Sequence, residues 1–336
     1  SQIGAADKGQ EIHAQISRRG LIGSSLLVGN ALVDMYAKCG LLGKAQQVFD
    51  ELLVQDIVSW NALIAGHAEH GCSEDILCYF KEMQQKEVLF NVVTFISSMK
   101  ACGNIGVIKK GQEIHAEVER KGLLENDVFI GSILVDMYVK CGSLPKAQEV
   151  FDNISNRNVI LWTALMAGYA DHGYGEEAID CFGKMQQEGF CPSATSYVCC
   201  LKAAYLTNDT NKGLEIHAEI SRNGLFERDS LVCNALIIMY AEFGFLPKAR
   251  EVFDSTMDRN VVSWNALITG YVDYGHDEEA LKCFEQLQNE GISPDTVTYV
   301  CCLKSCSSIQ SIHMGAETYS EITSKGFERD VTIGNT

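Results

Sequence analysis

The sequence contains three His-Ala-Glu triplets, at 67–69, 115–117 and 217–219, which match half of the signature of zinc-dependent nucleobase deaminases. In such enzymes His-x-Glu supplies a zinc ligand and a proton-transferring carboxylate, and a later Pro-Cys-x-x-Cys supplies two more ligands. No Pro-Cys-x-x-Cys occurs, because the nearest pair, Cys302 and Cys306, has three intervening residues. Without those ligands zinc cannot be held in tetrahedral geometry. We therefore expect no enzyme, no metal, no cofactor and no small-molecule substrate in this sequence.

Fourteen cysteines are present, and several recur at equivalent positions of a longer repeat. Cys39 and Cys141 lie 102 residues apart, as do Cys199 and Cys301. A cysteine and its counterpart in the next repeat are too far apart to form a disulfide. We expect most of these residues to be small buried thiols in a reducing compartment.

The charge composition is strongly acidic, with 27 Lys and Arg against 44 Asp and Glu and a net charge of −17. Nucleic-acid binders are usually basic, because neutralising phosphates supplies much of their affinity. The charge therefore counts against a nucleic-acid partner. No window approaches the roughly eighteen consecutive apolar residues of a membrane span, so we expect a soluble protein.

The elements that would position any functional residue are set by an internal repeat of 102 residues. Four independent landmarks recur with this period. They are Trp60, Trp162 and Trp264; Tyr36, Tyr138 and Tyr240; Phe49, Phe151 and Phe253; and His13, His115 and His217.

Each 102-residue unit divides into three segments of 31 to 36 residues. Each segment starts with a few strand-like residues and continues as two amphipathic stretches with helical spacing, separated by a Gly or polar cluster. In one segment Gly189 and Pro192 follow the second stretch, as at a helix C-terminus. One helical hairpin cannot bury its apolar face alone, so the sequence predicts a stack of hairpins.

These segments resemble the pentatricopeptide repeat family, specifically its plant PLS class. "GNALVDMYAKCG" (29–40) is similar to the short S motif, "IVSWNALIAGHAEHG" (57–71) to the P motif, and "SSMKACG" (97–103) with "GQEIHAEVERKGL" to the long L motif. The order S–P–L recurs three times over essentially the whole chain. The resemblance implies an all-α fold, a right-handed superhelical solenoid of helix-turn-helix repeats.

The resemblance also divides the chain into motifs. We expect a partial L motif at 1–25, S motifs at 26–56, 128–158 and 230–260, P motifs at 57–91, 159–193 and 261–295, L motifs at 92–127, 194–229 and 296–330, and the start of an S motif at 331–336. Because both ends of this division fall inside motifs, we expect the sequence to be a piece of a longer array.

In this family the first helix of each motif lines a groove for single-stranded RNA, with about one base per motif, a known recognition mode of helical repeats. The resemblance implies that the fifth residue contacts the base edge and the last residue helps to choose the base. The S and P motifs supply the pairs Asn30–Asp56, Asn61–Asn91, Ser132–Asn158, Thr163–Ser193, Asn234–Asn260 and Asn265–Asp295. The L motifs have Ile96, Val198 and Val300, which cannot hydrogen-bond a base. The implied RNA is U-C-x-A-R-x-C-U-x from 5′ to 3′.

Two further sets of residues are implied to contact RNA. The aliphatic or aromatic second residues would pack against base faces; they are Leu27, Val58, Phe129, Ile160, Leu231 and Val262. Lys100, Lys202 and Lys304 recur in the first helix of each L motif and are candidates for phosphate contacts. We expect most acidic residues to lie on second helices, away from the groove.

Two alternatives remain open at this stage. The Asn, Ser and Thr residues lie near predicted helix starts, where helix capping would explain their types without RNA. The acidic composition is also compatible with a protein-interaction scaffold. The resemblance favours the recognition tract of a C-to-U RNA-editing factor in a mitochondrion or chloroplast, with small editing-factor proteins as partners at the L motifs.

Overall fold

The computed structural model describes residues 2–20, 25–126, 128–226 and 229–326. Every regular element in these ranges is a helix, and consecutive helices form hairpins. The chain divides into two compact units, Ser1–Gly168 and Tyr169–Thr336. The predicted motif start at 331–336 lies outside the described residues.

Unit 1 contains the first eleven helices, the last of which crosses the division between the units. They are α1 (Gln2–Arg18), α2 (Leu26–Lys38), α3 (Leu42–Asp50), α4 (Ile57–Glu69), α5 (Ser73–Gln85), α6 (Val92–Ile105), α7 (Ile108–Arg120), α8 (Leu123–Asn126), α9 (Val128–Lys140), α10 (Leu144–Asn153) and α11 (Val159–Asp171). The first helices of successive hairpins pack side by side, α2 on α4, α4 on α6 and α6 on α9.

Unit 2 repeats this arrangement from the end of α11 onward. Its helices are α12 (Gly175–Gln187), α13 (Ala194–Leu206), α14 (Thr210–Arg222), α15 (Ser230–Glu242), α16 (Leu246–Ser255), α17 (Val261–Asp273), α18 (Asp277–Asn289), α19 (Thr296–Ser308) and α20 (Ile312–Ser324). Here α13 packs on α15, α15 on α17 and α17 on α19. The predicted all-α fold of stacked hairpins is confirmed in the described residues.

The recurring aromatic residues form the core between neighbouring hairpins. Trp60 packs edge-on against Phe49 with ring centroids 4.5 Å apart, and Trp264 packs in the same way against Phe253 at 4.4 Å. Both tryptophans are completely or almost completely buried. The 102-residue period thus reproduces the same packing contact in each repeat, and these rings are not available to stack on a ligand.

A glycine permits close approach of the first helices of an S and a P motif. A Cβ at Gly66 would lie 2.2 Å from the Cβ of Ala37, and one at Gly270 would lie 2.7 Å from the Cβ of Ala241. Only a residue without a side chain fits such a crossing. The glycine therefore lets the first helices of adjacent S and P motifs approach each other closely.

The strand-like residues at motif starts form the first helical turns, so packing overrides their local preference for a strand.

All fourteen cysteines are free thiols, and nine of them are buried. Within the described ranges, no helix has the length and apolar character needed to cross a bilayer.

Candidate functional site

The last residues of the predicted S and P motifs cap the first helix of the following motif. The Asp56 carboxylate accepts a hydrogen bond from the Ser59 N–H at 2.9 Å, and that of Asp295 accepts one from the Thr298 N–H at 3.0 Å. The same role is taken by Asn91, Asn158, Ser193 and Asn260. Asp, Asn and Ser are the residues preferred at this position, so capping accounts for their types.

The fifth residues are not helix caps, so the capping explanation is wrong for them. Each is the fifth residue of its helix, as Asn30 is in α2 and Asn265 is in α17. Their side chains therefore project from the second helical turn, where a polar residue is not required to satisfy free backbone N–H groups.

The structure brings the fifth and last residues together in two of the predicted pairs. The Asn30 amide Nδ2 donates to Asp56 Oδ1 at 3.1 Å. The Asn265 amide Nδ2 lies 2.9 and 3.0 Å from the two carboxylate oxygens of Asp295. A hydrogen-bonded pair of this kind combines the two residues into one polar surface.

A threonine that the sequence analysis missed joins the P-motif residues to the next helix. The Thr94 hydroxyl lies 2.9 Å from Asn61 Oδ1 and 3.1 Å from Asn91 Oδ1, so it links a third predicted pair. The Thr298 hydroxyl lies 2.6 Å from Asn265 Oδ1. The available signal was the threonine three residues after Asn91 and after Asp295, the spacing of a capping box.

The fifth residues of the S motifs are more deeply buried than those of the P motifs. Asn30 and Asn234 are only 8% and 7% exposed, and the Oδ1 atom of each is buried without a hydrogen-bond partner. The Ser132 hydroxyl, which is also buried, donates to the Val128 carbonyl at 2.9 Å. The half-buried Thr163 hydroxyl donates to the Val159 carbonyl at 2.7 Å, as serine and threonine often do inside helices.

The predicted base-packing residues are exposed although they are large and apolar. Their exposed fractions run from 50% to 81%, for Leu27, Val58, Phe129, Ile160, Leu231 and Val262. Val93 and Val297, the second residues of two L motifs, are also exposed. Single exposed apolar residues are common, but their recurrence at one motif position gives each unit a set of apolar side chains open to a ligand.

One cleft in unit 2 gathers several of these features. It encloses about 580 Å³ between the first helices α15, α17 and α19. We call it the α17 cleft; its lining residues are Ile238, Ala241, Glu242, Val262, Asn265, Ala266, Thr269, Gly270, Asp273, Tyr274, Asp295 and Val297. The cleft is therefore lined by one complete fifth-and-last pair together with two exposed second-position valines.

The α17 cleft is acidic and is thus a local exception to the expectation that most acidic residues lie on second helices. Glu242 and Asp273 end the first helices α15 and α17 and line the cleft together with Asp295. Burial opposes ionisation of Asp295, but hydrogen bonds from the Thr298 N–H and the Asn265 amide hold its pKa below the ordinary value. Asp295 is consequently a carboxylate at neutral pH and acts only as an acceptor.

The three L-motif lysines differ in their surroundings. Lys100 and Lys304 are exposed, whereas the Lys202 ammonium forms an ion pair with Asp171 at 2.7 Å. The two side chains are 37% and 60% exposed, so the pair is weak and open to competition by phosphate. Their predicted phosphate contacts stay a prediction. Among the described residues no cluster of His, Cys, Asp and Glu has the arrangement of a metal site.

Models of known families match most of the motifs. A model described as "PPR repeat family" matches residues 55–104, 157–205 and 259–308, and one described as "PPR repeat" matches 30–57, 132–159 and 231–261. PPR denotes the pentatricopeptide repeat.

Two curated relatives from Arabidopsis thaliana are similar along most of the chain. A chloroplastic pentatricopeptide repeat-containing protein is 35% identical over 302 residues, which are 90% of this chain and 48% of the relative. A mitochondrial one is 32% identical over 321 residues, 96% of this chain and 57% of the relative. The chain thus spans about half the length of these relatives.

Solved structures share the fold. The pentatricopeptide repeat protein PPR10 in complex with an 18-nt psaJ RNA element superposes with a TM-score of 0.77 at 17% identity, covering 96% of this chain and 48% of PPR10. PPR10 from maize, in another crystal structure, gives a TM-score of 0.69 at 18% identity, covering 96% of this chain and 47% of PPR10.

Proposed function

Since the chain belongs to the pentatricopeptide repeat family, we propose that it binds single-stranded RNA in a sequence-specific manner. The observation that supports this most directly is the α17 cleft, which is lined by Asn265, Asp295 and the exposed Val262 and Val297. Polar groups that can pair with a base edge thus line the same cleft as apolar groups that can cover its faces. Similarity to PPR10, whose structure includes an RNA element, agrees with the proposal.

Each S or P motif reads one base by hydrogen bonds from its fifth residue, assisted by its last residue. The base lies between the second residue of its own motif and that of the next motif. The L motifs have apolar fifth residues and read no base. We number the RNA positions by motif, with position 1 at motif 26–56 and position 9 at motif 296–330. From position 1 to position 9 the expected RNA is U-C-x-A-R-x-C-U-x.

We further propose that the chain is the recognition tract of a PLS-class C-to-U editing factor that acts in a mitochondrion or chloroplast. The S–P–L order of the motifs supports the class, and relatives named chloroplastic or mitochondrial support the location. In this proposal the tract positions a cytidine for a deaminase outside the sequence described, and small editing-factor proteins bind at the L motifs.

The test is binding of two RNAs of equal composition, one with the proposed order of bases and one scrambled, at a fixed salt concentration. The proposal predicts tighter binding of the ordered RNA, because each mismatched base costs about 1–3 kcal/mol if it behaves like other base-readout contacts. Equal affinities would remove the claim of sequence specificity. Fixed salt is essential because phosphate contacts respond to salt and carry no sequence information.

A protein-interaction scaffold is the second candidate function. The net charge of −17 and the carboxylates Glu242 and Asp273 in the α17 cleft favour it, since they repel phosphate. If this alternative holds, neither RNA binds measurably at physiological salt.

A further inference from the structure

Two threonine hydroxyls lie where they can orient the amides proposed to read bases. Thr94 and Thr298 are the third residues of the L motifs 92–127 and 296–330, and both are completely buried. Each hydroxyl lies close to the amide oxygen of the fifth residue of the preceding P motif, at 2.9 Å from Asn61 Oδ1 and 2.6 Å from Asn265 Oδ1. An amide oxygen only accepts hydrogen bonds, so the hydroxyl is the donor.

Hydrogen bonds to both its oxygen and its nitrogen fix the orientation of the Asn265 side-chain amide. Its Oδ1 accepts from Thr298, and its Nδ2 donates to the carboxylate of Asp295. Rotating the amide by half a turn would place Oδ1 against the carboxylate and lose the bond from Thr298. The Asp295 carboxylate is also 2.9 Å from the Thr298 hydroxyl, but it already has donors in Asn265 and the Thr298 N–H.

The S motifs 26–56 and 230–260 lack this arrangement. The residues equivalent to the threonines are Ser59 and Ser263, and each serine hydroxyl donates to the backbone carbonyl of the preceding capping residue at 2.8 Å. The corresponding amide oxygens, Oδ1 of Asn30 and Asn234, are buried without a hydrogen-bond partner. Ser59 and Ser263 thus donate to the backbone, whereas Thr94 and Thr298 donate to the base-reading amide of the preceding motif.

A fixed amide presents one kind of group to the base. With Oδ1 held by threonine, the remaining Nδ2 hydrogen is a donor, which suits an acceptor such as a pyrimidine carbonyl oxygen or an unprotonated ring nitrogen. An amide free to rotate would present its donor or its acceptor equally well and would discriminate less. Preorganised groups also lose less conformational freedom on binding.

We infer that Thr94 and Thr298 are positioning residues that lock Asn61 and Asn265 with the amide donor available to the base. Each of these L motifs, which reads no base itself, thereby sets how stringently the preceding P motif reads its base. The inference rests on the proposed function, because it assigns the source of base discrimination at RNA positions 2 and 8.

The test compares Thr298→Val with the matched control Ser263→Ala, both in the full chain. Each change removes a hydroxyl at the third residue of a capped helix, but only the first removes a bond to a base-reading amide. The measured quantity is the ratio of Kd values for RNAs with C and with U at position 8, at fixed salt. The midpoints of thermal unfolding of both variants are also measured. They show whether loss of a capping-box hydroxyl destabilises Thr298→Val and Ser263→Ala to the same extent.

We expect the wild-type ratio to be about 10 or more, and Thr298→Val to lower it about 3- to 10-fold, the usual effect of one lost hydrogen bond. Ser263→Ala should change the corresponding ratio for U and C at position 7 less than about 2-fold. A purely structural role for Thr298 would instead weaken binding of both RNAs equally.

The outcomes separate the two claims. If the wild-type chain does not distinguish the RNAs, the proposed function is wrong and the inference falls with it. If the wild type discriminates but Thr298→Val keeps the full ratio, the inference is wrong and the proposed function stands. Should Thr298→Val fail to fold, Thr94→Val with the ratio of U to C at position 2 provides the same decision in unit 1.

Discussion

Replacing Glu242 with lysine should strengthen RNA binding, because it changes a carboxylate in the α17 cleft to an ammonium group that attracts phosphate. The other two copies of the repeat have lysine at this position. Lys38 and Lys140 end the equivalent first helices, and each forms an ion pair at 2.8 Å with the aspartate four residues earlier. In the third copy Ile238 replaces that aspartate and Glu242 replaces the lysine, so a carboxylate lines the α17 cleft beside Asp273.

The size of the effect follows from the charge change. One phosphate contact to a single strand changes log K by about 0.7 for each tenfold change in salt, which corresponds to roughly 5-fold in affinity between 1 M and 0.1 M salt. Glu242→Lys gains about 5-fold at 0.1 M salt if the lysine forms one such contact. The gain approaches about 25-fold if the repulsion removed from the carboxylate is equally large.

The assay is fluorescence anisotropy with an RNA of the proposed sequence, over a salt series from about 50 to 300 mM. Glu242→Lys should bind more tightly at low salt and steepen the salt dependence by about 0.7 in log–log slope. The control is Glu278→Lys, an identical charge change at an exposed residue of α18 that does not line the cleft. An equal gain for both variants, or no gain for Glu242→Lys, would refute the assignment of this surface to the RNA backbone.

Three further outcomes are expected. Gly66→Ala should lower the midpoint of urea unfolding, because its Cβ would lie 2.2 Å from that of Ala37 and overpacking costs about 1–3 kcal/mol; a rise from improved helix propensity would contradict this. Val262→Ala should weaken binding of every RNA severalfold at unchanged thermal stability, since this half-exposed side chain is proposed to pack on a base; a lower melting temperature would mean that it serves the core. The pKa of Asp295 is lower in the folded chain than its ordinary value of 3.8. Its carboxylate therefore stabilises the fold at pH values above 3.8, and this stabilisation is lost as the pH falls through the lower pKa of the folded state. Discrimination at RNA position 8 should therefore stay constant from about pH 8 to pH 5, and a loss near pH 6 would contradict an ionised Asp295.

The hairpin architecture could be predicted from the sequence because the same apolar contacts recur at one period. Trp60 and Trp264 appear at equal positions and bury against Phe49 and Phe253 in the same geometry. The strand-like first residues of each motif were the misleading signal, since local preference for a strand yields to packing of the whole helix face. Periodicity therefore outweighed local propensity.

The site was predictable only in part, because residue type does not reveal which group a side chain binds. Asn30 and Asn265 look equivalent in sequence, yet one amide oxygen has no partner and the other accepts from Thr298. The capping role of Asp56 was likewise not separable from base selection without knowing where α4 begins. By contrast, the change from lysine to Glu242 was readable from the repeat alignment alone.

The most direct test of base reading is selection of bound sequences from a random RNA pool with the wild-type chain and with Asn265→Thr. Our account predicts an enriched pattern near U-C-x-A-R-x-C-U-x for the wild type, and a change from uracil toward purine at position 8 alone for the variant. An unenriched pool, or a preference at position 8 that is the same in both proteins, would contradict the claim that each fifth residue reads one base.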